Sequence, residues 1–131
     1  MPTVRQQLES VMKVAEAALF RGADAAEFAE LLYDDDVVVV GEGWPAATRG
    51  LLAAIPKVDE TLKYWGYRPR LSLTIVDPIV TEGSVATTFV DVKVAPKKPG
   101  AAQHQYRALY GWKRGARGWR VVLEMYDEGA F

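Results

Sequence analysis

The chain contains no cysteine. That excludes disulfide frameworks, thiolate nucleophiles and cysteine-bound metals. Its single histidine is His104, which excludes multi-histidine metal sites and leaves a serine–histidine triad only one base to use. Neither sign of charge is in excess: 16 Lys and Arg face 17 Asp and Glu, for a net charge of −1. There is therefore no basic footprint for nucleic acid or an anionic membrane. No apolar run approaches the roughly 18 residues that a membrane span needs. The opening "MPTVRQQLES" lacks the basic-then-apolar order of a secretion signal. These absences point to a cytoplasmic protein without cofactor or metal.

What is present is ordinary globular material. The sequence has 131 residues, 50% hydrophobic and 25% charged. That fits one domain over residues 1–131 with a real core. Val4, Leu8, Val11, Met12, Ala15, Ala18 and Leu19 recur at helical spacing. Thr3 with Gln6 reads as the capping box of that helix and Gly22 as its stop. Asp24 with Glu27 caps a second helix carrying Phe28, Leu31 and Leu32, which should finish by Tyr33 or Asp34. The triplet Asp34–Asp36 reads as a solvated helix-to-strand turn rather than a site, because carboxylates sit badly at the negative end of a helix and favour turns. Val37 to Val40 are stiff and β-branched, and read as a strand buried on both faces. After the loop "GEGWPAATRG", a third helix is marked by Leu51, Leu52, Ile55, Val58, Leu62 and Trp65. Pro56 inside it predicts a kink or a late start, and Gly66 its end.

The second half alternates as strands do. Leu71, Leu73, Ile75, Asp77 and Ile79 share a face. Pairing Val80 with Val85 sets Ile75 against Val90 and Leu73 against Val92, apolar on apolar. In the last hairpin, pairing Arg114 with Trp119 puts Tyr110 opposite Leu123 and Trp112 opposite Val121. His104, Tyr106, Tyr110 and Trp112 then face inward with Val121, Leu123 and Met125. Arg107, Lys113, Arg120 and Glu124 face outward, as do Val76, Val80, Val85 and Phe89 on the other hairpin. An apolar outer face needs cover, which predicts a homodimer.

The order helix, helix, "YDDDVVVV", loop, "RGLLAAI" helix, then long strands closing in "GWRVVLEMY" resembles the SnoaL-like, ketosteroid-isomerase-like branch of the nuclear-transport-factor-2-like (NTF2-like) superfamily. The similarity spans nearly the whole chain. It implies an α+β cone: helices packed in a strongly curved antiparallel sheet, with an apolar pocket at the open end and, in many members, a dimer. Its chemistry carries over poorly. The family's proton-abstracting carboxylate aligns with Gly41, next to Glu42. Its oxyanion-binding tyrosine falls near Ala15 and its protonated acid near Tyr110. The resemblance therefore implies the fold more than the isomerase reaction.

Candidate catalytic residues are Glu42, beside the family's base position, Tyr110, as a hydrogen-bond donor to a ligand carbonyl, and Asp77. A carboxylate buried in the Asp77 stripe would have the raised pKa of a general base near neutrality. Pro78 supports the opposite reading, a bulge that turns Asp77 outward. Trp44, Tyr64, Tyr106, Trp112 and Leu123 are the candidate ligand-binding residues, with Trp44 as a lid or a packing residue. Tyr67 ends the third helix region, and His104 is either exposed or a proton shuttle. Three function classes fit: an acid–base isomerase, cyclase or dehydratase acting on a small apolar or aromatic molecule, a non-catalytic binding pocket, or a dimeric association module.

Overall fold

The structure is a computed structural model and describes residues 1–66 and 68–131. Tyr67 lies outside the described residues. Helix α1 (Val4–Phe20) begins at Thr3, whose hydroxyl accepts from the Gln6 N–H while the Gln6 side chain accepts from the Thr3 N–H. Its stripe Leu8, Met12, Ala15 and Leu19 is buried. Helix α2 (Ala25–Leu32) is capped by Asp24. Helix α3 (Leu51–Trp65) runs through Pro56 and closes at Gly66, whose φ is 91°. It does not start late, and Leu52 leaves the expected stripe, being exposed.

The strands are β1 (Tyr33–Val40), β2 (Thr48–Arg49), β3 (Arg70–Glu82), β4 (Val85–Ala95), β5 (His104–Gly115) and β6 (Gly118–Glu128). They form one six-stranded sheet in the order β2-β1-β6-β5-β4-β3, antiparallel except for the parallel pair β1–β6. The sheet curves round the helices, the fold class that the sequence predicts. Trp112, Leu8, Met12, Leu32, Val37, Val90 and Val121 are fully buried. Each such side chain contributes about 1.5–3 kcal/mol by leaving water. No helix among the described residues is long and apolar enough to cross a membrane.

Three details of register differ from the sequence expectation, and each is an interruption of strand pairing. Helix α2 passes straight into β1, so Asp34–Asp36 lie on the strand rather than in a turn. The ladder with β6 jumps from Tyr33↔Val121 to Val38↔Leu123, which leaves the triplet out of the pairing. The acids remain solvated, with Asp35 paired to Arg117 at 3.1 Å. On β3 the pairing skips from Val76↔Phe89 to Ile79↔Thr88. Pro78 has no N–H to give the ladder, and Asp77 and Pro78 are extruded. The hairpin therefore closes at Glu82↔Val85, not at Val80. On β6 the pairing runs Arg114↔Trp119 and Trp112↔Val121, then Gly111↔Leu123 and Tyr110↔Glu124. Val122 is one extra residue, a β-bulge that reverses the faces beyond it.

Candidate active site

The Val122 bulge builds the site. Because faces switch there, Leu123 and Met125 point outward, 37% and 46% exposed, while Glu124 is buried. Strict alternation predicts Glu124 on the outer surface and Leu123 in the pocket; the bulge reverses both. The Tyr33 hydroxyl, at the junction of α2 and β1, donates to Glu124 Oε1 at 2.7 Å. The Tyr110 hydroxyl, directly across the β5–β6 ladder, lies beside the same carboxylate.

This triad forms part of the wall of a cavity of about 350 Å³ between the sheet and α2 and α3. The apolar wall comes from Phe28, Leu32, Val39, Ala54, Val58, Leu62, Leu71, Leu73 and Val92. Burial pushes the Glu124 carboxyl up, and the hydrogen bonds from Tyr33 and Tyr110 pull it partly back, leaving it at about 7. Burial and the Glu124 charge hold Tyr33 and Tyr110 well above the usual phenol range. They stay protonated donors. The result is a carboxyl divided between acid and base near neutrality, which suits proton transfer in both directions.

The other candidates separate clearly. Tyr110 faces inward on the cavity wall. Glu42, Trp44, Tyr64 and Tyr106 also line the cavity. Glu42 is exposed, and its Oε2 accepts the Glu128 N–H at 2.9 Å. Tyr64 is 70% exposed and rests against the His104 ring, 5.0 Å between centroids. Tyr106 accepts from Trp65 Nε1 at 3.2 Å. Asp77 is not in the site: extruded by the Pro78 bulge, it is exposed and paired with Arg5. Trp112 faces inward but lies outside the cavity, in the core, where its Nε1 donates to Thr88 Oγ1 at 3.0 Å. Tyr33, Glu124 and Tyr126 are the site residues that sequence reasoning missed. A glutamate between Leu123 and Met125 on a strand gives no signal until the bulge is known.

A Cβ at Gly41 would lie 2.4 Å from the Trp44 indole. The indole occupies the space a side chain there would need, and Glu124 stands on the neighbouring strand, paired to Val39.

No protein-family model matches the chain, and no curated protein matches it in sequence. Solved structures do match in shape. An NTF2-like protein with a cystatin-like fold from Novosphingobium aromaticivorans superposes with TM-score 0.68 at 19% identity, covering 93% of this chain and 79% of its own. A ketosteroid isomerase-like protein from Erwinia carotovora atroseptica gives 0.67 at 20% identity, covering 95% of both chains. A protein of unknown function with a cystatin-like fold from Nostoc punctiforme gives 0.75 at 12% identity, over 97% and 93%.

Proposed function

The chain has the NTF2-like, cystatin-like fold, and from that premise we propose that it is an acid–base enzyme for a small, largely apolar carbonyl compound. The observation that carries the proposal is Glu124, buried in an apolar cavity wall under two tyrosine hydroxyls. In its ionised form Glu124 takes a proton from the carbon next to the carbonyl, and in its protonated form it returns one. As negative charge develops on the carbonyl oxygen, a hydroxyl from Tyr33 or Tyr110 turns to it. Isomerisation, dehydration and cyclisation all use this step. A ketosteroid isomerase-like neighbour of the same fold supports a ring ketone as the ligand class.

The test is solvent-deuterium incorporation. A panel of apolar cyclic ketones is incubated in deuterium oxide with the protein, and α-carbon exchange is read by NMR. Exchange should depend on Glu124 and fall by roughly 10²–10⁴-fold in Glu124→Gln. Exchange at an undiminished rate in that variant contradicts the proposal. A second reading has one observation in its favour: the two tyrosines satisfy Glu124 without any ligand, as in a non-catalytic binding pocket. Tight ketone binding with no exchange would select it.

We also propose a homodimer through the outer sheet face. Val80, Val85, Phe89, Leu123 and Met125 are exposed there, and such a patch favours a partner surface. A monomer by light scattering at micromolar concentration would rule this out.

A further inference from the structure

The mouth of the cavity differs from its inner wall. Tyr126 stands perpendicular to two neighbours: its ring lies 5.9 Å from Trp44 at 87° and 5.7 Å from Tyr106 at 87°. The three rings thus pack as one aromatic cluster, and an ammonium already lies against it: Lys57 Nζ is 5.3 Å from the Trp44 ring centroid. Lys57 is the one cation lining the cavity among the described residues. It is 4.0 Å from Glu60, and Glu42 and Glu128 complete the rim. The faces of aromatic rings attract cations through their quadrupole, most strongly where water is partly excluded. An anionic group at this end would meet three rim carboxylates against one lysine.

We propose that the natural ligand is a ketone whose far end carries an organic ammonium group, seated against the Trp44–Tyr106–Tyr126 cluster. This rests on the reading of Glu124 as the carbonyl-end acid–base group, and it names the ligand's other end. The carbonyl lies at Glu124 and the apolar body crosses the cavity. The ammonium displaces or joins the Lys57 ammonium over Trp44.

Three probes that share one bicyclic ketone test the proposal. They differ only in the tail: trimethylammonium, its neutral tert-butyl isostere, or carboxylate. Calorimetry should place the ammonium compound about ten-fold tighter than the neutral isostere, with the carboxylate weakest. The ammonium-to-neutral ratio should shrink in Trp44→Leu and in the double variant Glu42→Gln, Glu128→Gln. In wild type it should fall as salt is raised. Equal binding of the ammonium and neutral probes, or preference for the carboxylate, overturns the inference. Deuterium exchange of the neutral probe separates the two claims: exchange without charge preference sinks this inference alone. Binding of none of the three sinks it together with the reading beneath it.

Discussion

Asp77 on β3 and Glu124 on β6 each follow a run of inward-facing apolar residues, and each lies beside a break in strand pairing. Their fates are opposite. The β3 break extrudes two residues, Asp77 among them, and the strand resumes with the same face inward. Asp77 ends in water beside Arg5. The β6 break adds one residue, Val122, and one residue reverses the faces, so Glu124 is carried into the cavity. A carboxylate in that position is costly unless it is hydrogen-bonded or protonated. Tyr33 and Tyr110 supply the bonds, and the raised pKa supplies the proton. The parity of an interruption, not the apolar pattern around it, decides which acid is carried into the cavity.

The largest expected effect is on reactivity. Glu124→Gln should lower α-proton exchange by roughly 10²–10⁴-fold, the usual worth of a positioned acid–base group. Asp77→Asn should leave exchange within a factor of two of wild type, on the order of the scatter of a surface change. Exchange rates on both variants under identical conditions read the contrast directly.

The next effect is on stability against pH. Glu124 sits at about 7 in the fold against an ordinary 4.5. Between those values the folded chain binds more protons than the unfolded chain. This group's contribution is therefore most favourable below about pH 4.5, falls as pH rises through the window, and is flat above about 7. The total loss is about 3 kcal/mol at most. Urea unfolding from pH 4.5 to 8 should show the slope in wild type and in Asp77→Asn, and a flatter curve in Glu124→Gln.

Smaller again is Tyr33→Phe. One hydrogen bond disappears, worth about 0.5–1.5 kcal/mol. The same bond lowers the Glu124 pKa, so its loss should push that pKa further up. Denaturation together with the pH profile of exchange would show both changes. The smallest effect belongs to the acid triplet. Asp34→Asn with Asp35→Asn should stay within about 0.5 kcal/mol, since the Arg117–Asp35 pair is exposed and such pairs contribute little. It should leave ligand binding unchanged, which calorimetry can check.

Much of the architecture was legible because helices announce themselves. The Leu8–Met12–Ala15–Leu19 stripe, the Thr3 cap and the Gly66 stop are local features with local causes. The inward face of β5 was legible too, which placed Tyr110 and Tyr106. The floor of the site was not. Alternation counts residues, and Val122 carries no mark of being surplus: it is β-branched and apolar like its neighbours, and nothing local separates a bulged valine from a paired one. Tyr33 was read as the end of a helix, and only the parallel β1–β6 pairing brings it to Glu124. Pro78 did carry a mark, and the outward reading of Asp77 followed from it.

The most direct test of the account is a carbon-13 NMR titration of the glutamate carboxyl groups from pH 3 to 9. One resonance should show a midpoint near 7, set apart from the other glutamates, lost in Glu124→Gln and unmoved in Asp77→Asn. If every glutamate instead titrates below about pH 5, as solvated carboxylates do, Glu124 is not buried beneath its two tyrosines and the site described above does not exist.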